Sequence, residues 1–258
     1  MKENNGVAII GGGIGGMEAA VLCAKRGHSV TLYEKSDKLG GVFVAAAAPS
    51  FKEKDRALIA WYNREIRKYP NITIHLNAEV KNVKALKADE VIIATGAKAR
   101  RLNVNGAHTT IEAVDYLLGN KSVGEKVVVI GGGLTGCEIA YDLYLKGKQP
   151  VIVEMMDDLI VTKGICLANT SYLRDFFKTN QVPVHLETSL YQIVPRGVIV
   201  KHKDGQYETI PCDSVITSIG YNPAPVVKNK KVHVIGDAKK VGNLRSVIWG
   251  AWDVAMKI

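Results

Sequence analysis

The chain has 258 residues, of which 47% are hydrophobic and 23% are charged, and its formal net charge is +9. This composition is typical of a globular protein with a substantial core, and it excludes the disordered and fibrous classes. The positive charge favours anionic small molecules and acidic protein partners. The sequence lacks the motif or aromatic platform that nucleic-acid-binding proteins need, so we expect no nucleic-acid partner.

The first elements along the chain are a strand, a glycine-rich turn, a helix and a second strand. An apolar run at residues 7–10 leads into the turn at residues 11–16, which reads Gly-Gly-Gly-Ile-Gly-Gly. The following helical pattern ends at Gly27, where a left-handed C-cap is expected, and the next apolar run ends in Glu34. Because five glycines and Glu18 interrupt the apolar stretch at residues 7–24, we expect no membrane segment.

Further elements follow before residue 123. The periodicity predicts a helix over residues 51–69, which Pro70 stops, and then an extended segment over residues 72–80. A buried strand is predicted over residues 90–94. It ends at Thr95 and Gly96. A short helix is predicted over residues 111–118.

The opening pattern then recurs. An apolar run at residues 127–130 leads into Gly-Gly-Gly-Leu-Thr-Gly at residues 131–136, a helical pattern that ends at Gly147, and a second apolar run that ends in Glu154. Glu34 follows Gly11 and Glu154 follows Gly131 at the same distance of 23 residues. Each copy is a βαβ unit with a parallel pair of strands, so the repeat predicts two Rossmann-type domains.

The remaining segments complete these domains. A helix is predicted over residues 167–178 and an extended segment over 182–187, followed by a small antiparallel ribbon over residues 190–210. A buried strand at residues 215–219 ends at Gly220. Another at residues 232–235 leads into Gly236 and Asp237, and Asn243 caps a final helix.

The predicted fold class is therefore α/β, with two Rossmann-like dinucleotide-binding domains, the second inserted in the first. We expect the first, FAD-binding domain to contain residues 1–122 and 221–258. The second, NAD(H)-binding domain is expected to contain residues 123–220.

The glycines have distinct predicted roles. In each copy the first glycine permits the tight turn, the third lets the backbone approach a pyrophosphate, and the last lets helix and strand pack closely. The free N–H groups of the helix N-terminus favour phosphate, and the glutamate would accept hydrogen bonds from ribose hydroxyls. A single such motif is weak evidence, but two in matched contexts are strong. These roles fall to Gly11, Gly13, Gly16 and Glu34, and to Gly131, Gly133, Gly136 and Glu154.

Two acidic residues refine the assignment of the cofactors. Glu154 would repel a 2′-phosphate, and the four residues after it include no arginine, which favours NADH over NADPH. Asp237 follows a buried strand, where it could bind a ribitol hydroxyl of a flavin. The helix that begins near Asn243 and Leu244 would present its positive end to the flavin ring.

The four cysteines are far apart in the sequence, which excludes a local redox pair and a linear zinc or iron–sulfur motif. The same spacing argues against a disulfide reductase and fits a reducing cytoplasm. The six histidines are scattered, and surface or structural roles are expected for each. We therefore expect no metal ligands. We also expect no side-chain acid or base in catalysis, since the cofactors carry the chemistry.

Several shorter motifs carry a resemblance to a known group of flavoproteins. They are Leu39-Gly40-Gly41, Ala46-Ala47-Ala48-Pro49-Ser50-Phe51-Lys52, Ala57-Leu58-Ile59-Ala60-Trp61-Tyr62, Ile93-Ala94-Thr95-Gly96, Ile235-Gly236-Asp237-Ala238, Gly242-Asn243-Leu244 and Ile248-Trp249. Over residues 6–258 the chain resembles the two-dinucleotide-binding-domain flavoproteins. More narrowly, it resembles the C-terminal portion of Old Yellow Enzyme-like NADH:flavin oxidoreductases, the group of 2-enoate reductase, 2,4-dienoyl-CoA reductase and trimethylamine dehydrogenase.

The resemblance implies two sets of cofactor-binding residues. The FAD set is Gly11, Gly13, Ile14, Gly15, Gly16, Glu34, Lys35, Gly40, Gly41, Val80, Ala94, Thr95, Gly96, Gly236, Asp237, Asn243 and Leu244. The nicotinamide-nucleotide set is Gly131, Gly133, Leu134, Thr135, Gly136, Glu154 and Gly220.

The resemblance also implies an activity. In such proteins NAD(P)H gives hydride to FAD, and electrons then pass through a 4Fe–4S cluster to FMN in an N-terminal barrel. This chain lacks the barrel and the cysteine cluster, so we expect either a domain of a longer enzyme or a reductase with an external acceptor. The alternatives are a non-catalytic domain that holds ADP and, more weakly, a flavin-dependent monooxygenase.

Overall fold

The computed structural model describes residues 5–162, 164–227 and 232–258, which form two compact units. The second unit contains Ala48–Phe51 and Ala99–Gly220, and the first contains the rest of the described residues. Along the chain, the first unit is therefore interrupted by the second.

The strands of the described residues are, in chain order, β1 Gly6–Ile10, β2 Ser29–Tyr33, β3 Ile72–His75, β4 Glu90–Ile93, β5 Ala97–Ala99, β6 Ile111–Glu112, β7 Lys126–Ile130, β8 Gln149–Val153, β9 Val184–His185, β10 Thr188–Val194, β11 Gly197–His202, β12 Tyr207–Pro211, β13 Ser214–Thr217, β14 Tyr221–Pro223 and β15 His233–Val234. The helices are α1 Ile14–Lys25, α2 Phe43–Ala46, α3 Glu53–Glu65, α4 Ala113–Leu117, α5 Leu134–Leu145, α6 Leu167–Thr179 and α7 Leu244–Ala255. Short 3-10 helices lie at Ile66–Lys68, Val83–Ala85, Ala107–Thr109 and Gly236–Ala238.

The first unit is built on a five-stranded sheet in the order β15-β4-β1-β2-β3, in which every pair is parallel. The central strand β1 is buried on both faces, as the apolar run of a parallel strand requires. Because the strands are parallel, their carboxyl ends share one edge, where ligands of such sheets bind.

Helix α1 lies deep in this unit. Most of its residues are buried, and it is apolar nearly all round because it packs against other elements on more than one side. One of these is α7, whose Val247 side chain lies at Gly15. The core of the unit includes Ile9, Met17, Leu32, Ile92 and Ile235.

The second unit repeats the arrangement. Its five-stranded sheet has the order β6-β13-β7-β8-β9, again with parallel pairs throughout, and β7 is the central strand that precedes a glycine turn. An antiparallel three-stranded sheet, β10-β11-β12, belongs to the same unit and packs Val198 and Val200 into its core. The predicted α/β class with two Rossmann-like folds is confirmed.

Several predicted boundaries differ from the structure. Residues 111–112 form a strand rather than the first turn of a helix, because Ile111 pairs with Ile216 at the edge of the second sheet. The second unit also contains Ala48–Phe51 and residues 99–122, which the prediction assigned to the first domain. Predicted extended segments at 72–80 and 182–187 shorten to β3 and β9, the stretches with a parallel neighbour.

No helix of the described residues is both long enough and apolar enough to span a bilayer.

The second unit contains a buried polar network between α4 and α5. The Tyr116 hydroxyl donates to Asp142 Oδ2 at 2.8 Å, and Lys146 Nζ lies 2.6 Å from the same oxygen. The Asp142 side chain is 3% exposed, so its charge depends on these two partners. Burial and the hydrogen bond to Asp142 raise the pKa of Tyr116.

Tyr116→Phe removes one hydrogen bond to Asp142, and we expect it to lower the free energy of unfolding by about 1 kcal/mol. The loss stays small because Lys146 still contacts the carboxylate. Asp142→Ala should cost about 1–3 kcal/mol, since it leaves the Tyr116 hydroxyl proton without its acceptor. Urea denaturation followed by circular dichroism measures both. The control is Tyr144→Phe, which removes an exposed hydroxyl from α5, the helix of Asp142. The free energy of unfolding should change by no more than about 0.5 kcal/mol. An equal loss in the control would contradict this account.

Candidate functional site

The carboxyl edge of the first sheet gathers most of the predicted FAD set. The glycine turn follows β1, Glu34 follows β2, residues 94–96 follow β4, and Gly236 and Asp237 follow β15. In the second unit the corresponding edge brings together the turn after β7, Glu154 after β8, and the segment up to Gly220 after β13.

Each glycine turn contains backbone contacts that exclude side chains. Gly11 has a φ of 108°, and a Cβ there would lie 2.3 Å from the Ala94 carbonyl oxygen. A Cβ on Gly16 would lie 1.9 Å from the Gly11 carbonyl oxygen. Gly131 and Gly136 repeat these values, with a φ of 107° and clashes at 2.3 and 1.9 Å. Only glycine fits these positions.

The third glycine of each turn leaves a helix end open. Gly13 and Gly133 are the N-caps of α1 and α5, and neither offers a side chain to the helix. A Cβ on Gly133 would meet nothing within 4 Å, and one on Gly13 would meet only the Gly41 Cα at 3.9 Å. The first-turn N–H groups have no intrahelical acceptor and are suited to phosphate oxygens. They belong to Ile14, Gly15 and Gly16, and to Leu134, Thr135 and Gly136.

A glutamate carboxylate holds each turn. Glu34 Oε2 accepts the Gly12 N–H at 2.6 Å, and Oε1 accepts the Ser36 N–H and hydroxyl, each at 2.8 Å. Glu154 repeats this with the Gly132 N–H at 2.6 Å and the Met156 N–H at 2.8 Å. A carboxylate has about four acceptor sites, so each can still accept a ribose hydroxyl.

The loop after the second strand differs between the units. In the first unit the Gly40 N–H donates to the Gly12 carbonyl at 2.8 Å, and Gly13 pairs with Gly40 in an isolated bridge. A Cβ on Gly41 would lie 3.0 Å from the Gly13 Cα. In the second unit Ile160 makes the corresponding bond to Gly132 at 2.9 Å, with a φ of 53°. A β-branched residue is strained in the left-handed region of backbone angles, so the packing around Ile160 must hold the loop in this conformation.

Other members of the FAD set have varied settings. Lys35 is exposed directly after Glu34, and Val80 is half-buried in the irregular segment after β3. The Thr95 hydroxyl donates to the Ala224 carbonyl at 2.9 Å, which fixes the turn that Gly96 makes. In the second unit Gly220 makes the equivalent turn, with a φ of 89°.

The end of β15 leads into α7. Asp237 Oδ1 accepts the Gly242 N–H at 3.0 Å, and burial raises the pKa of this carboxyl while that hydrogen bond lowers it. Asn243 caps α7 in a reciprocal capping box with Ser246, as predicted for the helix start. Its side chain is thus engaged in the cap, and the backbone of Leu244 begins the helix.

Two residues near the carboxylates were missed from the sequence. Ser36 holds Glu34, and the spacing of two residues is a local turn signal that could have revealed it. Arg174 comes from α6 to Asp158, with Nε–Oδ1 at 3.0 Å and Nη2–Oδ2 at 2.8 Å, and it also donates to the Leu159 carbonyl. Arg174 lies 16 residues from Asp158 in the sequence, so no local pattern indicated this pair.

The cysteines do not form a dithiol. All four lie among the described residues and are free thiols, and only Cys166 is exposed. Burial raises the pKa of Cys23 to about 11 and that of Cys137 to about 12, so neither is a thiolate at neutral pH. Disulfide exchange by residues of this chain is not supported.

Comparison with known proteins identifies the family. The family model described as pyridine nucleotide-disulphide oxidoreductase matches residues 5–240. A cinnamate reductase of Clostridium sporogenes is 41% identical over 98% of this chain and 39% of its own length. An NADH oxidase of Thermoanaerobacter brockii is 34% identical over 98% of this chain and 41% of its own length. The chain thus spans about two-fifths of these relatives.

Solved structures agree with these matches. A 2-naphthoyl-CoA reductase complex superposes with a TM-score of 0.90 at 28% identity, over all of this chain and 40% of the other. The thioredoxin reductase of T. acidophilum has a TM-score of 0.76 at 21% identity, which shows a shared fold alone. The predicted resemblance to the FAD/NAD-binding portion of enoate reductase-like enzymes is confirmed.

The family implies FAD and NAD(P)H as cofactors, and the residues present fit both. Two helix ends are open in front of Gly13 and Gly133, and Glu34 and Glu154 stand beside them with acceptor sites left over. Each set matches the diphosphate and ribose of a dinucleotide. The chain is an oxidoreductase module and belongs to the pyridine nucleotide-disulphide oxidoreductase family.

Proposed function

We propose that this chain takes reducing equivalents from NADH to FAD and passes electrons to an acceptor outside the chain. The observation that carries the proposal is the pair of open, uncapped helix ends, one in each unit. When bound, NADH and FAD supply the hydride chemistry, one as donor and the other as acceptor. The residues of the chain bind and orient the two cofactors and polarise the flavin, and no side-chain acid or base is required.

The first unit is the better candidate for FAD. Gly40 and Gly41 bring a side-chain-free loop against the glycine turn, which leaves room along the groove. Asp237 and the N-terminus of α7 follow the fifth strand of the same sheet. A carboxylate there suits a ribitol hydroxyl, and a helix end suits the negative charge of a reduced flavin.

The second unit is the better candidate for NADH. If Glu154 binds the ribose as proposed, its carboxylate would repel the 2′-phosphate of NADPH. The guanidinium of Arg174, on α6, is held by both oxygens of Asp158. Its charge is thus already paired with a carboxylate other than Glu154.

We infer that the acceptor is a further domain with FMN and a 4Fe–4S cluster, or a separate protein. The relatives are more than twice as long as this chain, which supports the first alternative. Helix α7 leaves Trp249 64% and Trp252 52% exposed, three residues apart, and Arg245 lies 5.5 Å from the Trp249 ring. Large apolar side chains exposed together are typical of an interaction surface.

The free thiols support a location in the cytoplasm.

A non-catalytic domain that holds ADP is the second candidate. An ADP site needs the glycine turn and Glu34, but it has no use for Asp237 or the end of α7. The half-buried Asp237 therefore favours FAD.

The purified protein is expected to be yellow and to bleach when NADH is added without oxygen. The visible spectrum before and after addition measures both events, and chromatography of the denatured supernatant identifies the released nucleotide. A colourless protein that releases ADP would support the second candidate, a non-catalytic domain that holds ADP. A yellow protein that keeps its colour with NADH would rule out the proposed electron transfer.

Gly133→Ala and Gly13→Ala separate the two sites. Both positions have ordinary extended backbone angles and open space, so a methyl group should leave the fold intact. It would occupy the groove in which the pyrophosphate lies. Gly133→Ala should raise KM for NADH by roughly 10-fold or more, which corresponds to a loss of about 1.4 kcal/mol, with FAD retained. Gly13→Ala should instead release FAD.

Each of these variants is the control for the other. FAD content per chain, the apparent melting temperature and steady-state kinetics with an artificial acceptor give the three readouts. If Gly133→Ala lost FAD and kept its KM for NADH, the assignment of the two units would be reversed.

Glu154→Gln should reduce the preference for NADH. The amide keeps an oxygen for the Gly132 N–H but lacks the charge that repels a 2′-phosphate. We expect the ratio of kcat/KM for NADH to that for NADPH to fall about 10-fold, the equivalent of about 1.4 kcal/mol. The matched change Glu187→Gln, on an exposed residue, should leave the ratio unchanged. An unaltered ratio in Glu154→Gln would show that this carboxylate does not select the nucleotide.

A further inference from the structure

Three side chains that the redox chemistry does not use converge in the second unit. His185 ends β9, His202 ends β11, and Glu208 lies in β12. Glu208 Oε2 lies 2.9 Å from His202 Nε2 and 3.5 Å from His185 Nδ1. The three ligand atoms all lie within 4.8 Å of one another.

A fourth residue determines which nitrogen of His202 carries a proton. The Thr188 hydroxyl donates its only proton to the Leu186 carbonyl at 2.7 Å. Thr188 Oγ1 must therefore accept from His202 Nδ1, which lies 3.0 Å away. In a neutral imidazole, Nε2 then presents a lone pair to Glu208 Oε2.

Two acceptors that face each other at 2.9 Å repel unless a cation lies between them. The cation is either a proton on His202 or a metal ion. A proton would satisfy His202 and Glu208, and it leaves His185 Nδ1, at 3.5 Å, as at most a long hydrogen-bond donor to the same oxygen. A metal ion accounts for all three ligands and for the hydrogen bond from His202 Nδ1, which is the usual outer-shell contact of a metal-bound histidine.

The distances also suit a metal ion. A tetrahedral ion with bonds of about 2.0–2.1 Å holds neighbouring ligand atoms about 3.3 Å apart. Two of the three separations, 2.9 and 3.5 Å, lie on either side of this value, and the third, between the two imidazoles, is within 4.8 Å. The side chains are 23%, 30% and 45% exposed, so water can reach a fourth position. The neighbouring cation, Lys203, is paired with Glu187.

We propose that His185, His202 and Glu208 bind a divalent transition-metal ion of the zinc class. Two imidazoles and one carboxylate suit zinc and its neighbours, whereas magnesium and calcium prefer oxygen ligands alone. The ion would join β9, at the edge of the five-stranded sheet, to the three-stranded sheet β10-β11-β12. Its role would be structural and independent of the redox cofactors.

Zinc titration of the tag-free protein tests the proposal. Cys166→Ser serves as the background, because an exposed thiol also binds zinc. Isothermal titration calorimetry is expected to show one zinc ion per chain, and dialysed protein should retain that ion in elemental analysis. His202→Ala and Glu208→Gln should each weaken binding about 100-fold or more, and Thr188→Val about 10–100-fold. Thr188→Ser, which keeps the hydroxyl, should bind as the background does.

The matched control is His233→Ala. His233 Nε2 lies 3.0 Å from a carboxylate oxygen of Glu90, and the described residues include no second histidine at that pair. This variant should keep its zinc affinity, and magnesium should show no binding to any variant. The proposal is wrong if the background binds no stoichiometric zinc, since a proton then suffices. It is also wrong if His202→Ala binds zinc as tightly as the background does. NADH-dependent bleaching is measured alongside and should be the same with and without zinc.

Discussion

A backbone contact that leaves no room for a side chain organises both cofactor grooves. The carbonyl of the first glycine lies so close to the last glycine of the turn that a Cβ at Gly16 or Gly136 would be 1.9 Å from it. This contact fixes the angle at which α1 leaves β1 and α5 leaves β7. The helix N-terminus therefore lies at the carboxyl edge of the sheet, with its first N–H groups directed into open space.

The glutamate after the second strand completes this arrangement. Its carboxylate accepts the N–H of the middle glycine at 2.6 Å in both units, so the turn and the neighbouring strand form one rigid piece. The same carboxylate borders the groove and retains acceptor sites for a sugar. One residue therefore stabilises the loop and, in our proposal, also contributes to recognition, which fits its equal distance from the first glycine in both copies.

The two units share this arrangement and differ at its borders. The first unit has Gly40 and Gly41 beside the turn, whereas the second has Ile160 at the corresponding place in a strained conformation. The edge strand β15 of the first sheet leads into Asp237 and α7, whereas the corresponding edge strand of the second sheet, β6, leads into α4. These borders, rather than the glycine turns, are the basis on which we propose different cofactors for the two units.

The sequence by itself determined the duplicated strand–turn–helix–strand units, the two glutamates and the α/β class, because these depend on contacts within a few dozen residues. The features that depend on long-range contacts were decided only by the tertiary structure. Residues 111–112 became a strand because Ile216 offers a parallel neighbour, and Arg174 reached Asp158 from another helix. His185, His202 and Glu208 have no common motif, and they meet because three strands end or pass at one place. Local patterns predict local geometry, whereas the partners of a side chain across a sheet depend on strand pairing.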